Sequence, residues 1–325
     1  FVANDTIYAI GISFAPDLPI IQAVSFTVLD TLGNVVNQQF YIDSLGRNYN
    51  IGVAPNGLLV LENERSVLFT GSTLEGGQPL LFKIGFDGGV HWIKEYNFPN
   101  ASFSAVSYLK EADDGYLLFL YRSSSLTSQK GIAVFKVDNA GNYQWEKEFF
   151  TIPNRRLRLG GVYKINENRY AIGGRDEQTN QGFDLPGQQL RERLIIIDSL
   201  GNTISDWEGP LSRDYIGIYQ LHLTNEGEWM YYGAKLEYDP VWNENNLQHK
   251  VIKRDTATME IIDEVALYRE RNGLYNWILN SLRLSDGNIL STYIMTNYIT
   301  SDTGEEVGVN AGVTYKFNEN LDSIW

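Results

Sequence analysis

The residues of this chain able to do chemistry are three histidines, 40 carboxylates and a local concentration of arginines. His91 sits beside a tryptophan, His222 falls inside an alternating apolar stretch, and His249 opens another. None is spaced H-x-x-x-H or H-E-x-x-H, the pattern that puts two ligands on one helical face, so zinc chemistry and a Ser-His-Asp constellation have no local signature. With Cys 0 the chain offers neither a thiolate site nor a disulfide framework, and no D-x-[DN]-x-[DN]-G loop points to calcium. Two carboxylates at a fixed separation would serve a glycosidase. Asp176, Asp184, Asp239 and Glu244 are candidates, although solvated loop acids are the commoner reading of such residues. No catalytic residue, metal or cofactor is assigned.

Binding chemistry is better represented. Arg155, Arg156, Arg158, Arg169, Arg175, Arg191 and Arg193 fall within one stretch of a chain whose formal net charge is −14. Planar guanidinium forks suit carboxylate, sulfate or phosphate, so an acidic sugar or anionic peptide is one reading. Local pairing with Asp176, Glu177, Asp184 and Glu192 is the other. Tyr238, Trp242, Tyr275 and Trp277 form a second lead, since exposed rings stack on sugars or anchor a protein partner, while buried ones cap a core. The candidate ligand-binding set is therefore Arg155, Arg156, Arg158, Arg175, Tyr238, Trp242 and Tyr275.

What must position these side chains is an internal repeat. An apolar strand runs into a polar turn residue, Gly often follows three positions later, and a second strand often carries Trp seven positions after the turn residue. The best copy is 132-IAVFKVDNAGNYQW-145, with Asp138, Gly141 and Trp145. In 80-LLFKIGFDGGVHW-92 Gly85 takes the Asp position, and Gly88 and Trp92 keep theirs. Further copies hold Asp30 with Gly33, Asp198 with Gly201, Asp255, and Asn318 with Trp325. Turn positions at 30, 85, 138, 198, 255 and 318 give a period of 53 to 63 residues, room for four short strands. A second hairpin signal precedes most copies, as in 104-SAVSYLKEADDGYLLFLYR-122 and 159-LGGVYKINENRYAIGGRD-176. Asp or Asn bonding its own backbone and Gly at positive φ explain the turns.

The expected architecture is one all-β propeller domain of about six four-stranded blades, near 1–45, 46–100, 101–152, 153–211, 212–268 and 269–325. The fourth-strand Trp is expected as a wedge between blades. Residues 1–13 match the end of an inner strand, a turn and a second strand, so the first blade is expected to lack most of its inner strand, as in a module of a longer protein. Turns between strands one and two and between three and four share one end of each blade and are short. The other end should carry the long loops, about 175–191, 236–249 and 296–311, and is the expected binding face.

The repeat resembles the L-x-K-x-D-x-x-G-x-x-x-W units of secreted and surface propellers of Bacteroidota, and is distantly similar to quinoprotein-type propellers. The latter have a turn one residue longer, and no quinone is carried over. The resemblance implies an extracellular, cell-surface or periplasmic setting and says little about activity. Asp-Ser or Asp-Thr pairs at Asp5, Asp30, Asp43, Asp198, Asp255 and Asp322 are similar to the O-glycosylation acceptors of such proteins. The acidic balance argues against nucleic acid, and no apolar run of about twenty residues suggests membrane insertion. The expected function is a noncatalytic binding or scaffold module whose partner is a protein, a glycan or other domains of the same polypeptide. The alternative is a secreted glycoside hydrolase or polysaccharide lyase using loop carboxylates.

Overall fold

The computed structural model describes the chain outside residues 4–5, 16–17, 43–44, 52–54, 74–76, 99–100, 125–129, 150–154, 179–189, 213–216, 240–243, 270–277, 285, 301–305 and 323–325. Two compact units divide it, Phe1–Arg156 and Leu157–Trp325.

In the first unit, β1 (Val2–Ala3), β2 (Thr6–Ala15), β3 (Leu18–Leu29) and β4 (Val35–Tyr41) form a sheet in chain order. Next, β5 (Tyr49–Ile51) and β6 (Leu58–Leu61) share the inner position beside β7 (Ser66–Thr73), followed by β8 (Pro79–Gly85) and β9 (Val90–Glu95). The third sheet is β10 (Ala101–Ala112), β11 (Gly115–Ser124), β12 (Lys130–Asp138) and β13 (Tyr143–Phe149). From the boundary onward come β14 (Arg155–Asn166), β15 (Arg169–Gln178), β16 (Arg191–Asp198) and β17 (Thr203–Glu208), then β18 (Tyr219–Leu223), β19 (Trp229–Asp239), β20 (Glu244–Arg254) and β21 (Ile261–Arg269). The last sheet has three strands among the described residues, β22 (Ile278–Arg283), β23 (Ile289–Thr300) and β24 (Glu306–Phe317). Six antiparallel meanders of this kind are propeller blades, and the fold class is the all-β propeller that the repeat predicts.

Burial explains the strand composition. Middle strands are covered on both faces, so they read as unbroken apolar runs such as Leu117–Leu120, all at 0% exposure. Outer strands meet solvent and most carry charge, as in 143-YQWEKEF-149. Within each unit the cores form between successive blades. Phe26, Val24 and Tyr8 pack with Phe69, Phe82 and Phe86, while Tyr231 and Ile252 pack with Ala171 and Leu194.

The turn closing four of the six blades is the same device repeated. Asp138 Oδ1 accepts from the backbone N–H of Ala140 and Asn142, its Oδ2 accepts from Asn142 Nδ2, and the Gly141 N–H donates to the Asp138 carbonyl. Asp30 with Leu32 and Asn34, and Asp198 with Leu200 and Asn202, repeat it. In the last blade the pair is inverted, Asn318 holding the turn and Asp322 answering. Leu321 there takes the positive φ (+64°) that Gly141 takes at +77°.

Neighbouring blades lock onto these turns. Trp92 is partly buried against the third-blade core, and its ring lies 2.9 Å from where a Cβ on Gly141 would stand. The Tyr41 and Tyr96 hydroxyls donate to the carbonyls of Gly88 and Gly141 at 2.7 and 2.9 Å. The lysine two residues before the turn has a fixed role too: Lys83, Lys136, Lys253 and Lys316 pair with Glu64, Asp114, Glu228 and Asp286 at the turn between the blade's first two long strands.

Three expected loops are shorter than predicted. Strands β15 and β16 extend to Gln178 and from Arg191, β19 and β20 to Asp239 and from Glu244, and β23 and β24 to Thr300 and from Glu306. The hairpins continue because cross-strand pairing runs on, Tyr238 opposite Asn245 and Thr300 opposite Glu306. The polar residues paired there belong to strand ends.

Candidate functional site

The fourth blade gathers its chemistry at the end opposite the turns. There β15 finishes with Arg175, Asp176 and Glu177, and β16 starts with Arg191, Glu192 and Arg193. Cross-strand register sets Arg175 opposite Glu192, Asp176 opposite Arg191, and Arg193 opposite Glu208 at the end of β17. Opposite charges facing across a sheet attract one another, which favours this register.

Side chains complete a lattice. Glu177, fully buried, accepts from Arg158 Nε and lies 2.8 Å from Arg175 Nη2. Arg191 bonds the buried Asp176 at 2.6 Å through Nε and reaches Glu208 at 2.5 Å through Nη1. Arg193 grips Asp206 with two donors, at 2.9 and 2.7 Å, and these hydrogen bonds, with the charges of Asp206, Glu208 and Asp176, hold its guanidinium above its usual range. Arg175 lies 6.0 Å from the centre of the Tyr219 ring, and burial pushes the Tyr219 hydroxyl up. Four guanidinium groups thus meet four carboxylates. Arg158, Asp206 and Glu208 are the members most open to solvent, with side chains 35%, 34% and 38% exposed.

Beneath this lattice, Glu192 turns away from the local arginines. It accepts from Arg254 Nη2 at 2.6 Å and from the Tyr231 hydroxyl at 2.9 Å, while Arg254 Nε donates to that same hydroxyl at 2.7 Å. Arg254 also donates to the Met259 carbonyl and stacks 5.3 Å from the centre of the Trp207 ring. Burial pushes the Glu192 carboxyl up despite these donors. Such a closed network clamps the fourth blade to the fifth. The glycines 160–161 act in the same packing: a Cβ on Gly160 would come 2.0 Å from the Ile218 carbonyl, so only glycine lets β14 pass this close.

Placement of the sequence candidates is uneven. Arg158 and Arg175 enter the lattice, as do Arg191 and Arg193. Arg155 is buried at the start of β14, and Arg156 pairs its backbone with Lys130. Arg169 departs from the expected cluster, since it begins β15 at the opposite end, across from Asp198. Tyr238 is in β19, Asp239 ends that strand and Glu244 opens β20. Trp242, Tyr275, Trp277 and Asp184 lie outside the described residues. His91 is exposed on β9; His222 is buried, its Nε2 2.5 Å from Ser281 Oγ. Among the described residues no group of three His, Asp or Glu is arranged to hold a metal ion. Sequence reading missed the acids Asp206 and Glu208, whose signal was their place on the strand next to Arg191 and Arg193.

No known family profile matches the chain, and no curated protein matches it either. Among solved structures it is similar to a polysaccharide lyase of a new family, an ulvan lyase, with TM-score 0.51 at 9% identity over 95% of this chain and 81% of that one. The fold is shared. Other matches are an α-L-arabinofuranosidase from Fusarium graminearum (TM-score 0.46, 8% identity, 95% and 89% covered) and a protein of unknown function from Bacteroides caccae (0.41, 10%, 98% and 92%).

Proposed function

We propose that the chain is a glycan-binding propeller module of a secreted or cell-surface protein, built from the Bacteroidota-type repeat that its blades resemble. The observation that carries this reading is the guanidinium–carboxylate lattice at the end of the fourth blade. Locally balanced in charge and set in an acidic chain, it has no field to draw in a polyanion. Its alternating fixed donors and acceptors instead match sugar hydroxyls, which both give and receive hydrogen bonds. Tyr238, Trp242 and Tyr275 are proposed as stacking partners for sugar faces, and Arg156 as a flanking contact, with the buried Arg155 behind it. Likeness in fold to a polysaccharide lyase agrees with a carbohydrate ligand.

The test is retention on immobilised neutral and acidic polysaccharides, with soluble products analysed in parallel. Retention on a neutral glycan that barely changes with salt, and that falls about tenfold in Asp206→Asn/Glu208→Gln without loss of the folding transition, is the expected result. Retention on polyanions alone, or retention indifferent to those substitutions, overturns this site. Released oligosaccharide would replace the module reading with the enzymatic one.

A further inference from the structure

The outer strand of the first blade differs from the other outer strands. The β4 sequence VVNQQFY has no charged residue. Its described counterparts do: β9 carries Lys94 and Glu95, β13 carries Glu146, Lys147 and Glu148, β17 carries Asp206 and Glu208, and β21 carries Asp263 and Glu264. Charge on an edge strand is the usual guard against unwanted pairing, and β4 lacks it. The same edge also presents apolar surface, with Val35 61% and Val36 67% exposed, next to Leu32 at 85%. A bulge at Val36 breaks the pairing with β3, and regular pairing runs from Asn37 to Tyr41.

The strand is self-complementary. Antiparallel pairing with its own copy about Gln38 sets Val36 against Phe40, Asn37 against Gln39, and Gln38 against itself, so apolar meets apolar and amide meets amide. A two-fold interface requires this property, since each residue must suit its symmetry mate. Among the described outer strands β4 alone can make this pairing with no charged residue in the seam. Side chains on one face of β4 are already committed within the unit: Asn37 and Gln39 donate to the Asp87 carbonyl and Tyr41 to that of Gly88. The free backbone edge, not that face, is therefore what β4 offers.

We propose that β4 is the seam of a homodimer, pairing antiparallel with its own copy across a two-fold axis at Gln38. Because both copies are acidic, added salt strengthens the association by screening their repulsion. The test is sedimentation velocity of the chain across a hundredfold range of concentration. Gln38 is exposed, so Gln38→Lys leaves the fold intact while placing two ammonium groups opposite one another. The expected outcome is a concentration-dependent dimer, weakened about tenfold by Gln38→Lys and unchanged by Gln144→Lys on β13, an exposed glutamine of another outer strand. Amide exchange slows over residues 37–41 on dimerisation. A chain that stays monomeric throughout overturns the proposal, as does a dimer indifferent to Gln38→Lys.

Discussion

At one end of the blades Asp30, Asp138, Asp198 and Asn318 each hold their own turn through residues two and four positions ahead, at the half-exposed surface. At the other end of the fourth blade Asp176, Glu177 and Glu192 are buried and satisfied by arginines 15 to 62 residues away. The same residue type thus does local, repeatable work at one end and nonlocal, singular work at the other. An exposed Asp in a turn needs only its neighbours, so the device can be copied blade after blade. A buried carboxylate needs a particular guanidinium brought by the fold, so its loss leaves a charge with nowhere to go.

The largest test of this contrast is Arg254→Met. Removing the guanidinium strands Glu192 in an apolar setting, and urea denaturation should show a loss of about 3–5 kcal/mol. Adding Glu192→Leu should recover a large part of it, because replacing both partners removes the uncompensated charge. If the single variant costs no more than a surface substitution, the clamp does not differ from the exposed turns in kind.

Next comes the wedge. Trp92→Ala should destabilise by about 2 kcal/mol, below the cost of a fully buried ring because Trp92 is only partly covered. Its effect should not add independently to that of Tyr96→Phe, since both side chains meet Gly141. A double-mutant cycle by thermal melting decides this.

How much was legible follows the same division. Turn residues, strand order within a blade and the Trp92 wedge were readable because each depends on residues within about a dozen positions, and the period followed from the spacing of the turn copies; Trp325 lies outside the described residues. The D-x-x-G-N pentad is literal in DTLGN, DNAGN and DSLGN, and the Asn at its fifth place went unread although it supplies the side-chain amide that closes the turn. The lysine of K-x-D was visible as a letter, but its partner, Asp114 for Lys136, lies across a hairpin. The arginine lattice was seen only as a concentration of charge. Which carboxylate answers which arginine depends on register, and the link from Glu192 to Arg254 crosses 62 residues that no local pattern spans.

A smaller effect is expected from the lysines. Lys136→Met removes a pair whose acid, Asp114, is 74% exposed, so it should cost at most about 1 kcal/mol by denaturant titration. A larger loss would place this pair with the buried lattice.

The finest test is the sign of the pH dependence. Hydrogen bonds from Asn142 and Ala140 hold the Asp138 carboxyl below its usual value, so the folded chain binds fewer protons there than the unfolded one. Its contribution is full above the ordinary carboxylate range and is lost as pH falls through the lowered folded value. Glu192 runs the other way. Burial raises its carboxyl above the ordinary value, so between the two values the folded chain keeps a proton that the unfolded chain has released, and stability falls as pH rises through that window. Asp138→Asn should therefore flatten the acid limb of a stability profile below about pH 4. Glu192→Gln, whatever its overall cost, should remove a slope of opposite sign above it. Profiles of folding free energy for the parent and both variants separate the two ends, and slopes of the same sign would show that the buried carboxylate is governed by its donors, as the exposed one is, and not by its burial.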